Sequence, residues 1–144
     1  MKSILFLASV ASAQNQLEGA PAQAPWWDIS SFENAQSLAL YFDRESRRHF
    51  VYREGHIHMS AKASKQYFEI ARMPGVKRIC EIGFNAGHST AIWLNANPQA
   101  EVLSFDLGQF DYTLDMARLA TKLFDRFKIV WGPSQDSVPN YLAE

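Results

Sequence analysis

Three short apolar runs separated by two helical patterns constrain this chain more than any other feature. Residues 76–82 form a short run with β-branched members and little polar alternation, and 101–105 and 127–131 read as further strands. That is the pattern of strands buried on both faces of a parallel sheet. Between them, residues 89–96 and 111–125 carry apolar positions at helical spacing. The order strand-helix-strand-helix-strand predicts right-handed crossovers and an α/β fold.

The upstream sequence predicts two further helices. Ser30 or Ser31 can cap one over 32–49, with Leu38, Tyr41, Phe42 and Glu45 recurring along it. Ser60 starts a second over 61–72, with Ala63, Tyr67, Ile70 and Ala71 as its apolar stripe; Pro74-Gly75 ends it. Pro139 is expected to open a last helix.

The N-terminus reads as a separate segment. Lys2, the apolar residues 4–10 and Ala11-Ser12-Ala13 form the pattern of a secretory signal peptide cleaved after Ala13. The apolar run is too short to span a bilayer. Residues 14–25, rich in Ala, Gln, Gly and Pro, predict a disordered leader. The expected organisation is therefore signal peptide 1–13, leader 14–25, helical region 26–75 and a sheet domain 76–144. The destination is the secretory pathway or the extracellular space.

With 14 basic and 15 acidic residues, the net charge of −1 supplies no attraction for nucleic acid. No membrane span is expected in the mature chain. Cys80 is the single cysteine and lies in a predicted strand, so it reads as a packed thiol. His49, His56 and His58 read as surface or substrate-flap histidines, and no metal site is expected. Trp26, Trp27 and Trp93 read as packing residues, since no basic groove accompanies them.

Ligands of open parallel sheets bind at the carboxyl ends of the strands. The loop after the first strand reads Glu81-Ile82-Gly83-Phe84-Asn85-Ala86-Gly87. Gly83 permits a sharp exit from the strand, and the following helix turns its free N–H groups towards the loop. A dinucleotide fingerprint needs glycine where Asn85 and His88 stand, so it fails twice. Glu81 can face an ammonium group. Asp106 ends the second strand about 20 residues beyond Gly83, the spacing at which a carboxylate reaches ribose hydroxyls.

Residues 79–89 resemble motif I of class I S-adenosylmethionine-dependent methyltransferases, and the Phe-Asn-Ala variant resembles methyltransferase-24-type domains. Ser104-Phe105-Asp106-Leu107-Gly108 resembles their second motif, and Val130-Trp131-Gly132-Pro133-Ser134 the end of their third strand. The resemblance covers roughly residues 76–139. It implies a Rossmann-like parallel sheet, here expected to stop after about three strands with an open, self-associating edge. It further implies S-adenosyl-L-methionine as cofactor and a small-molecule methyl acceptor.

Carried over by position, Glu81 and Gly83 line the methionine end of the cofactor, Asn85 and Gly87 shape the loop, and Asp106 holds the ribose. The expected cofactor set is completed by Phe84, His88, Leu107 and Ser134. Relatives place an acidic residue at the position held here by Pro133, so Ser134 or Asp136 takes over adenine contact. The substrate half of such a fold, with any general base, lies beyond the third strand; no catalytic residue is assigned. The expected function is an O-methyltransferase present as its cofactor-binding N-terminal fragment. The alternative is a non-catalytic secreted half-domain that binds a nucleoside-like ligand or a protein partner.

Overall fold

A computed structural model describes residues 4–8, 31–49 and 56–143. Among these residues, five helices and a four-stranded parallel sheet form an α/β fold. The elements are β1 (Ile4–Ala8), α1 (Phe32–Ser46), α2 (Ala61–Ala71), β2 (Arg78–Ile82), α3 (His88–Ala96), β3 (Glu101–Asp106), α4 (Asp111–Leu123), β4 (Phe127–Trp131) and α5 (Ser134–Ala143). Short 3₁₀ turns occupy Arg47–His49 and Ile57–Met59.

The three expected strands and their connecting helices occur in sheet order β2-β3-β4. A fourth strand was not expected. Ile4–Ala8, within the segment read as a signal peptide, pairs in parallel with β2, Ile4 opposite Arg78 and Ala8 opposite Ile82. A strand such as β2 leaves a row of N–H and C=O groups open on its free side, and an apolar segment of equal length satisfies them. Within these residues, β2 is therefore internal, and β1 and β4 are the edges. The proposed cleavage point and the leader 14–25 lie outside the described residues, as do Trp26 and Trp27.

The strands are apolar on both faces because both faces are covered. Ile79, Val102 and Phe127 face the main core with α1, α3 and α4. Cys80, Leu103 and Phe105 point the other way, against Val138 and Tyr141 of α5. Cys80 is thus a buried thiol, as its place in the strand predicts, and burial pushes its pKa up. Trp93 is fully buried and stacks on Tyr67 with ring centroids 4.3 Å apart.

Helix α3 is buried along its whole length, between the sheet and α1 with α2. Its C-terminal end is closed by Arg126, which donates to the carbonyls of Leu94, Asn97 and Ala100. Asn97 donates to the carbonyls of Ala71 and Val76, fixing the end of α2 and the entry to β2.

Ser31 and Ser60 cap α1 and α2, accepting from Asn34 N–H and Ala63 N–H. Two local expectations change. Of the expected α2 stripe, Ala71 is buried and Tyr67 and Ile70 pack against the core, but the most buried side of its earlier turns lies one position later, at Ser64 and Phe68. Ser64 is tolerated there because its hydroxyl donates to the Ile57 carbonyl. Helix α5 begins at Ser134, with Pro139 inside it rather than at its start. The Pro133 carbonyl already accepts from the N–H groups of Asp136 and Ser137, so the first turn closes well before the proline. None of the described helices is long and apolar enough to cross a membrane.

Candidate functional site

The loop between β2 and α3 is built around two glycines with different tasks. Gly83 leaves the strand at φ +88, and a Cβ placed on it would meet nothing within 4 Å. Its N–H still donates to the Phe105 carbonyl at 2.8 Å, so the sheet fixes the residue while its Cα faces open space. Gly87 sits at φ +78 and is packed tightly. A Cβ there would lie 2.8 Å from the rings of both Phe42 and Phe84. Gly87 therefore admits α1 and the loop's own phenylalanine. Asn85 takes a left-handed φ of 50, and its side-chain Oδ1 is buried without a partner among the described residues.

Asp106 lies at the tip of β3 and ties two loops together. Its Oδ2 accepts from Asn85 N–H at 2.9 Å and its Oδ1 from Gly108 N–H at 2.8 Å. Each carboxylate oxygen carries a second lone pair, so the group retains acceptor capacity beside Gly83. Leu107 follows it, exposed, and Ser134 lies half-buried at the start of α5 beyond the end of β4.

Four expected positions face inward. Phe84 is a core side chain packed on Phe127, with centroids 5.3 Å apart. Gly87 is buried beneath Phe42. His88 turns towards α1 and the 57–59 turn rather than the loop opening, for reasons given below.

Glu81 is buried under the loop. Its Oε1 accepts from Ser89 Oγ, and its Oε2 accepts from Thr90 Oγ1 at 2.5 Å and Ser104 Oγ at 2.7 Å. The pleat puts Glu81 and Ser104 on the α3 side of the sheet, and the first turn of α3 supplies the other two hydroxyls. A carboxylate at a helix N-terminus also meets the favourable end of the helix dipole. Burial nevertheless pushes the Glu81 pKa up, against the three hydroxyl donors. In this arrangement Glu81 holds α3 to β2 and β3, with its oxygens turned from solvent.

A second polar cluster adjoins the loop. Asp43 of α1, His58 of the 57–59 turn and His88 of α3 are all buried. His58 Nε2 and His88 Nε2 lie 3.6 Å and 3.4 Å from Asp43 Oδ1. The two imidazole rings are 4.1 Å apart between centroids. Arg47 takes the other oxygen, donating from Nε to Oδ2 at 2.7 Å.

Burial would raise the Asp43 pKa, but His88, Arg47 and the charge of His58 outweigh it and hold the carboxyl below its usual range. Burial, reinforced by His88, pushes His58 down to about 3. His56 is lowered too, chiefly by burial, and its ring stacks 6.2 Å from that of His88. His58 is thus no surface histidine. The reason is the local packing of the 57–59 turn against α1 and α3, which the His-x-His pattern does not encode.

A separate groove of about 420 Å³ runs between α4 and β4, lined by Leu114, Ala117, Arg118, Thr121, Lys122, Ile129 and Trp131. None of the expected cofactor residues lines it. Comparison of the chain with protein-family models, curated proteins and solved structures gives no match.

Proposed function

We propose that the chain carries an S-adenosyl-L-methionine site at the β2–α3 loop and serves methyl transfer to a small acceptor. The class I methyltransferase type of Rossmann-like fold belongs to the same reading. The observation that supports it best is the juxtaposition of Gly83 and Asp106. An unobstructed glycine and a carboxylate with free lone pairs stand at the carboxyl ends of adjacent parallel strands. That suits a ligand with a ribose diol at one end and an amino-acid moiety at the other.

The residues that meet the ligand in this reading are Gly83, Asn85, Asp106 and Leu107, with Ser134 at the adenine side. Glu81, Phe84 and Gly87 act one layer back, by holding the loop and α3 in place. When bound, the cofactor supplies an electrophilic sulfonium methyl. This part of the chain contributes orientation, which is the main source of rate in such in-line transfers.

Calorimetry with S-adenosylmethionine, its demethylated product and NAD tests the reading. Saturable binding of the first two and weaker binding of NAD is the expected order. Failure of both sulfur ligands to bind at millimolar concentration, or tighter binding of NAD, sinks it.

A secretory location remains part of this proposal and stands against the pairing of Ile4–Ala8 with β2. Cleavage after Ala13 removes β1 and makes β2 an edge. N-terminal sequencing of protein recovered from a secreting host decides: Gln14 as first residue supports secretion, an intact Met1 or Lys2 the edge strand.

A further inference from the structure

Asp43, His58 and His88 each offer one donor atom, and these atoms lie within 4.8 Å of one another. They come from three elements, and all three side chains are withdrawn from solvent, at 12%, 3% and 3% exposure. Among the described residues, Asp43 Oδ1 is buried with no hydrogen-bond partner, although two imidazole nitrogens stand 3.4 Å and 3.6 Å away. His58 Nδ1 is likewise buried without a partner among the described residues. Arg47 donates to Oδ2 of Asp43, and Oδ1 is the oxygen nearer the two imidazole nitrogens.

We propose that this cluster binds one divalent transition cation, with zinc the best chemical match, through Asp43 Oδ1 and the Nε2 atoms of His58 and His88. Two ligands that each sit about 2.0–2.1 Å from a tetrahedral zinc are separated by roughly 3.4 Å. The observed oxygen-to-nitrogen separations have that span. Two imidazoles and one carboxylate favour zinc or a neighbouring borderline metal over magnesium or calcium, which take oxygen ligands. Three protein donors leave a position open for water or another ligand. His56 stands nearby as a further imidazole, its ring 6.0 Å from that of His58.

The site has a structural consequence that does not depend on the methyl-transfer reading. His88 directly follows Gly87, the cap of α3. A cation there cross-links α1, the 57–59 turn and the first residue of α3, and so stiffens the loop that ends at Gly87.

The test uses the full chain, cleared of metal with a chelator and titrated with zinc chloride in a calorimeter. One equivalent is taken up, the thermal midpoint rises, and chelator reverses both. Cobalt(II) in place of zinc gives visible absorption bands of a four- or five-coordinate nitrogen–oxygen site. Asp43→Asn and His58→Gln keep side-chain size, and circular dichroism checks that each folds. Each weakens zinc by more than the ~10–100-fold that loss of an outer-shell partner costs. Absence of saturable uptake by the unaltered chain overturns the proposal. So does undiminished uptake by either folded variant, or cobalt spectra of a fully hydrated six-coordinate ion.

Discussion

Asn85 and Asp106 join two strand ends: the Asn85 N–H donates to Asp106 Oδ2 at 2.9 Å, across the opening beside Gly83. The same carboxylate accepts from Gly108 N–H through its other oxygen. One side chain thus sets the conformation of both loops that border the proposed ligand site. The brace and the proposed ribose contact use different lone pairs of the same atoms.

The two loop glycines separate stability from binding. Gly83→Ala meets no steric obstacle and costs only the left-handed backbone strain, about 1–2 kcal/mol. Gly87→Ala bears the same strain and drives a Cβ into two aromatic rings, so it costs about 1–3 kcal/mol more. Urea midpoints of the two variants check the order. Equal losses would mean that the Phe42 and Phe84 rings yield freely.

Glu81 gives the chain a pH dependence of defined sign. Its pKa is raised in the folded state above 4.5, so the folded form holds its proton more tightly than the unfolded form. The contribution is complete below pH 4.5 and is lost as pH rises through the folded value. Glu81→Gln cannot titrate, and its amide still meets hydroxyls that can turn to donate or accept. Denaturant midpoints measured from pH 4 upwards therefore fall more steeply for the unaltered chain than for the variant. Parallel curves would contradict this account of Glu81.

Arg126 closes the C-terminal end of α3 with hydrogen bonds to three carbonyls. Arg126→Met keeps most of the packing and removes the donors. A loss of about 2–3 kcal/mol in unfolding free energy is expected, since hydrogen bonds to charged groups contribute about 1.5–3 kcal/mol. A change below ~0.5 kcal/mol would place those carbonyls in contact with water instead.

Much of the fold is legible in the sequence, because period and punctuation act locally. β4 falls on residues 127–131 as expected, and α1 starts at Phe32 behind its Ser31 cap. What escapes local reading depends on distant partners. Ile4–Ala8 carries an apolar pattern that also fits a leader, and its pairing with β2 depends on a partner far along the chain. Pro139 suggests a helix start, yet the Pro133 carbonyl begins α5 earlier.

The candidate site divides in the same way. The Gly83 turn and Asp106 at the end of β3 follow from spacing along one β-α-β unit. The inward turn of Glu81 requires Ser89, Thr90 and Ser104 to converge on it, and nothing in motif spacing ranks those hydroxyls above an ammonium group. The Asp43–His58–His88 cluster is harder still to foresee. Its members are far apart in sequence and meet only because α1 packs across α3.

The most direct test of the central claim is the affinity of S-adenosylhomocysteine for the full chain and for Asp106→Ala, measured by calorimetry on folded protein. Loss of a charged acceptor should remove roughly 1.5–3 kcal/mol, or about 10–100-fold in Kd. Saturable binding by the unaltered chain with that loss in the variant is the predicted result. Equal affinity in the two, or no binding to either, would contradict it.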